Sequence, residues 1–140
     1  MTAPYPAPGE FPDFEQVLID LLTPIAYTCT SLPTDETAFN AALPLIWARR
    51  TGGGIDEDQV LDSAVMQVDV FSHRRSDSQA LGRRITRALL AAAGTRVAGV
   101  LIDWAEQLTG GAGGIETQDI DPLNRVAQLG FRLDARRQFP

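Results

Sequence analysis

At 140 residues the chain has the size of one domain, which can bury roughly 68–70% of its unfolded surface in a single core. Its hydrophobic share of 44% and charged share of 21% are those of a globular protein and exclude a disordered tail. A net charge of −6 argues against the clustered basic footprint of a protein that grips phosphate backbones.

Prolines at positions 4, 6, 8 and 12 keep the first dozen residues extended, so residues 1–12 read as an arm ahead of one domain over 13–140. Asp13, three residues before Gln16, opens a helix over 14–23 in a capping-box-like start. Phe14, Val17, Leu18, Leu21 and Leu22 form its apolar face. A short strand is expected over 26–32, with "TDETAFNAA" after it as a loop. "LPLIWARRTGGG" predicts a second strand over 44–50, stopped by Gly52 to Gly54.

From Ala64 to Ser72, Met66, Val68 and Val70 alternate with Gln67 and Asp69, the pattern of a third strand buried on one side. Ser76 and Gln79 suggest a second capping box. The stripe Leu81, Ile85, Ala88, Leu89 and Ala92 predicts a helix over 77–93 that ends before Gly94. Val100, Ile102 and Trp104 alternate with Leu101, Asp103 and Ala105 in a fourth strand. Leu129, Phe131, Leu133 and Ala135, opposed by Gln128, Arg132, Asp134 and Arg136, make a fifth. The order αβββαββ predicts a single α+β domain, a five-stranded antiparallel or mixed sheet packed against two helices.

Chemistry is sparse along this frame. His73, the one histidine, stands in "VDVFSHRRSD". As a catalytic base it would need a nucleophile within reach, but Ser72 would point to the opposite face and no Gly-x-Ser-x-Gly elbow occurs. Asp69 and Asp103 stay open as partners through space, so a small hydrolase-like enzyme using His73 remains an alternative to a polar strand-to-helix turn. One cysteine, Cys29, and one histidine cannot build a structural zinc site or a disulfide within one chain. "DEDQVLD" and "ETQDID" lack the spacing of a calcium loop, and "TGGAGG" lacks that of a phosphate or dinucleotide loop. No cofactor is expected. Without an apolar run of membrane length or a signal peptide, the reading is synthesis in the cytoplasm and no membrane partner.

All 12 basic residues are arginines, and eight come as pairs: 49/50, 74/75, 83/84 and 136/137. The ordinary reading is solvated charge at strand ends and on the outer face of the second helix. The alternative is contact with a second subunit, for which Arg49, Arg50, Arg74, Arg75, Arg136, Arg137 and the off-stripe Leu90 are the candidates. The glycine-bearing, acidic stretches 52–62 and 109–122 are expected to be mobile loops in an isolated subunit, one or both becoming ordered against a neighbouring subunit or another partner.

The N-terminal helix, "LPLIWARRTGG" running into glycines, "VMQVDVFSHRRSDSQALGRRITRALL" and the closing "NRVAQLGFRLDARR" resemble the tail terminator (tail completion) proteins of long noncontractile-tailed phages. The resemblance implies a structural virion protein, not an enzyme. It would form a homo-oligomeric ring, generally a hexamer, on the head-proximal end of the tail. Its partners would be copies of itself, the tail tube protein and a head-completion or stopper protein, with genomic DNA passing through unheld. A neighbouring head-tail connector and a monomeric binding domain stay open beside it.

Overall fold

The computed structural model describes residues 9–108 and 125–138. Asp13 starts α1 (Phe14–Leu22) by accepting from the backbone N–H of Glu15 and Gln16, so the predicted cap is present. The reciprocal half of the box is not: the Gln16 amide donates forward to Asp20. Then come β1 (Tyr27–Cys29), α2 (Glu36–Ala41), β2 (Leu45–Ile55), β3 (Leu61–Phe71), α3 (Arg75–Ala91), the short β4 (Arg96–Val97) and β5 (Val100–Leu101), β6 (Trp104–Gln107) and β7 (Ala127–Arg136).

The chain is α+β, with a five-stranded mixed sheet in the order β1-β2-β3-β7-β6. β1 runs parallel to β2 and every other neighbour is antiparallel. β3 is the central strand, pairing with β2 from Leu45↔Phe71 to Ile55↔Asp62 and with β7 from Leu61↔Arg136 to Val70↔Ala127. α1 and α3 cover one face. There Phe14, Leu18, Leu22, Ile85 and Leu89 pack on Ile46, Ala48, Met66, Val68, Val70, Phe131 and Leu133. The predicted stripe of α3 from Leu81 to Leu89 and the inward set Phe131, Leu133 and Ala135 on β7 are both found in this layer, while Ala92 packs with Val17, Val97, Val100 and Ile102.

The observed order is αβαββαββββ, with more elements than αβββαββ. "TDETAFNAA" holds α2 instead of a loop: Asp35 accepts from the Ala38 N–H at 2.7 Å, and Phe39 meets Phe71 edge to face with centroids 5.1 Å apart. At six residues α2 is too short to show a helical period, and it is held by Phe39 sinking onto the sheet face opposite α1 and α3. Gly52 to Gly54 do not stop β2. The hairpin with β3 satisfies their backbone groups, a bulge lies between Arg50 and Gly52, and Gly53 has φ +87°. The turn of the 52–62 stretch is only Asp56–Val60, where the Asp56 carboxylate accepts from the N–H groups of Val60 and Leu61.

β3 is buried on both sides, not one: Gln67 and Asp69 are as enclosed as Met66 and Val68. The cap of α3 is Arg74, without a side-chain hydrogen bond, and Ser76 lies inside the exposed first turn. The alternating run 100–105 is broken. β4 and β5 form a two-residue hairpin through Ala98 (φ +46°) and Gly99 (φ +93°), and the chain re-enters the main sheet at Trp104. Val100 and Ile102 are buried with Val17 and Ala92, yet from Trp104 on the inward residue is Ala105. The stretch 109–122 and the first eight residues of the proline-rich arm lie outside the described residues. Of the arm's end, Glu10 bridges Gln138.

Ile85→Ala or Leu89→Ala is expected to remove about 2–5 kcal/mol of stability in a denaturant titration. Gly53→Ala should also destabilise the fold, because a Cβ there would collide with the Ser63 carbonyl. Gly54→Ala, where an added Cβ meets nothing, should leave the melt nearly unchanged.

Candidate assembly surfaces

The sheet face opposite α1 and α3 carries a buried polar layer that follows from the two-residue period. Arg49 on β2 and Gln67 and Asp69 on β3 alternate with core residues, so all three project to this side. The Arg49 guanidinium donates to Asp69 at 3.2 Å, and the Gln67 amide donates to the other Asp69 oxygen at 2.8 Å. Trp47 lies under the guanidinium, 3.4 Å from carbon to ring centroid. Asp69 is wholly enclosed, and that burial raises its carboxyl pKa above the ordinary value, against the downward pull of Gln67 and Arg49. Farther along the same face Arg132 meets Glu106 at 2.9 Å and Asp134 at 3.3 Å.

The candidate arginines fall into different settings. Arg49 is buried in the layer just described. Arg50 forks onto Asp62 at 2.8 and 2.9 Å, and its backbone N–H donates to Glu15, tying α1 to β2; the Asp62 pairing raises the guanidinium pKa. Arg136 pairs with Asp103 at 2.9 Å. Arg137 lies over Phe11 at 4.6 Å and donates to the carbonyls of Gly9 and Gln59, fastening residues 9–11 and the β2–β3 turn to the end of β7. Arg75 donates to the Val126 carbonyl. Arg74 is exposed and meets Asp77 one turn on. Leu90 stands on the outer face of α3 with 43% of its surface exposed.

Other exposed apolar side chains were not singled out by sequence: Tyr27 on edge strand β1, Trp104 on edge strand β6, and Ile55 and Val60 beside the β2–β3 turn. Edge position is a property of sheet order, so no local pattern in the sequence signals it. Between that turn and the β4–β5 hairpin lies an open cleft of about 520 Å³, lined by Gln59, Val60, Arg96, Leu101, Arg137 and Gln138 among others.

His73 is exposed at the end of β3 and makes no hydrogen bond among the described residues, while the Ser72 hydroxyl beside it is buried. The carboxylates that sequence left open as its partners are engaged elsewhere, Asp69 with Arg49 and Gln67 and Asp103 with Arg136. No group of three or more metal-ligating side chains occurs among the described residues. None of the described helices is long and apolar enough to cross a membrane.

Removing Arg49 would strand the enclosed Asp69 charge. Arg49→Ala is therefore expected to cost about 3–5 kcal/mol, whereas Arg74→Ala leaves the unfolding midpoint unchanged. Because the folded-state pKa of Asp69 is raised, the folded protein holds that proton more tightly than the unfolded chain. Its contribution is favourable below the unfolded value of about 3.9 and is lost as pH rises through the folded value. The stability of wild type relative to Asp69→Asn should thus fall as pH rises from acid toward neutral, in urea titrations at a series of pH values.

Residues 10–137 match the family described as phage tail termination protein. No curated protein matches the chain. The chain belongs to the phage tail termination family, so its role is structural, as a component of the phage tail.

Proposed function

We propose that this protein caps the head-proximal end of the tail tube as a homo-oligomeric ring, halts tube polymerisation and presents the surface that joins the head. The family match across residues 10–137 is the observation that carries this reading. Several properties of the chain agree with it. The paired arginines mostly hold the fold together, through Asp62, Asp103 and the carbonyls of Gly9 and Gln59. The apolar residues left exposed are spread over the sheet edges, the β2–β3 turn and α3, as suits a subunit with more than one neighbour. The negative net charge suits a ring through which DNA passes without being gripped.

On this reading the domain runs over 13–140 with residues 1–12 as an arm. The subunits number six, as the resemblance implies, and the partners are the tube protein on one side and a head-completion or stopper protein on the other. His73 belongs to a turn between β3 and α3 and does no chemistry.

Tails assembled in cells lacking the protein should have no fixed length and should fail to join heads, as measured by length distributions in electron micrographs. Purified protein added to growing tubes should stop elongation, and His73→Ala should stop it equally well. Tails of normal length that join heads in the absence of the protein would refute the capping role.

A further inference from the structure

The described arginines are almost all consumed by the fold. Arg49, Arg50, Arg74, Arg132 and Arg136 meet carboxylates. Arg75, Arg96 and Arg137 donate to backbone carbonyls. Arg83, Arg84 and Arg87 do neither among the described residues, and all three are exposed. They share one face of α3, since Ile85 and Leu89 point into the core and positions 80, 83, 84, 87 and 91 lie on the opposite side of the helix. The small Ala80 lies between them and the first turn, Leu90 continues the face toward the C-terminal end, and the sole acid of α3, Asp77, already meets Arg74. Arg83 and Arg87, one turn apart, repel each other and so weaken the helix that carries them.

A complementary surface occurs on the same chain. The β2–β3 turn carries three successive acids, Asp56, Glu57 and Asp58, all exposed. Asp56 holds the turn by accepting from Val60 and Leu61, which leaves Glu57 and Asp58 without a partner among the described residues. Exposed Ile55 and Val60 flank them, at 52% and 51%. One surface therefore offers three guanidinium groups and a leucine, and the other offers carboxylates between two apolar side chains. The turn lies at the far end of the β2–β3 hairpin, whereas the arginine face lies on the outside of the helix layer.

We propose that the β2–β3 turn of one copy of this chain docks on the outer face of α3 of a second copy. Glu57 and Asp58 meet Arg83, Arg84 and Arg87, and Leu90 packs against Ile55 and Val60. Because the two surfaces differ, the contact is head to tail, the type that closes into a ring when the rotation between copies allows it. This inference deepens the ring reading and rests on it.

The test uses two charge reversals at exposed positions, Glu57→Arg with Asp58→Arg, and Arg83→Glu with Arg87→Glu. Circular dichroism verifies the fold of each variant, and sedimentation measures association alone and on purified tail tubes. Each variant alone should associate at least about tenfold more weakly than wild type, a loss of about 1.4 kcal/mol per contact. An equimolar mixture of the two should recover association, because every contact in an alternating assembly is again between opposite charges. If association survives either reversal, or the mixture does not recover it, this surface is wrong while the ring reading stands. A wild-type chain that stays monomeric even on tail tubes overturns the ring reading itself. Loss of duplex DNA binding in the Arg83/Arg87 variant with unchanged self-association would reassign the arginine face to nucleic acid and also overturn the proposal.

Discussion

The constraint on which the rest of the structure depends is that β3 is buried on both faces while one of them carries the polar Gln67 and Asp69 between Val65 and Phe71. Met66, Val68 and Val70 need nothing beyond the helices laid over them. Gln67 and Asp69 need partners, because an enclosed carboxylate without one is costly. Arg49 supplies the charge, Gln67 a neutral donor, and Trp47 a flat surface that keeps the guanidinium in place. These partners sit on β2 and β3 at neighbouring positions of one sheet face, so the polar layer also fixes hairpin register: a shift by one residue would turn Asp69 into the helix layer and set Val68 among the polar groups.

Much of this architecture was legible in the sequence, for reasons that particular residues make plain. α1 and α3 show full helical periods over several turns, and the alternation on β7 is regular enough to give its inward face. α2 was not legible because six residues span less than two turns and its anchor is tertiary, the contact of Phe39 with Phe71. The glycines after Arg50 resemble a stop because glycine is depleted in strands, but the ladder to β3 and the bulge carry the strand through them. The change of inward face between Ile102 and Ala105 comes from a hairpin that leaves the main sheet and returns, which no local alternation encodes.

The candidate contacts were legible only in part. Paired arginines are visible in a sequence, but whether each is consumed within the fold depends on which carboxylate the topology brings near it. Arg50 and Asp62 become neighbours only through the β2–β3 hairpin, and Arg136 and Asp103 only at the margin where the chain returns to β6. Leu90 is different, because departure from the apolar stripe of a helix is a local property, and it is exposed as the period implies.

Net charge sets a further condition on any assembly of copies. Each chain carries −6, so copies repel at long range, and a contact between them must be complementary where they touch. Among the described residues, internal ion pairs neutralise charge near the sheet and leave Arg83, Arg84 and Arg87 together on α3 and Glu57 and Asp58 on the β2–β3 turn. Salt then acts in two opposed ways. At physiological ionic strength the Debye length is about 8 Å, which screens repulsion between the bodies of neighbouring copies more than attraction between side chains in direct contact. Moderate salt should therefore favour close association of such chains, and only higher salt, which weakens the exposed ion pairs themselves, should oppose it.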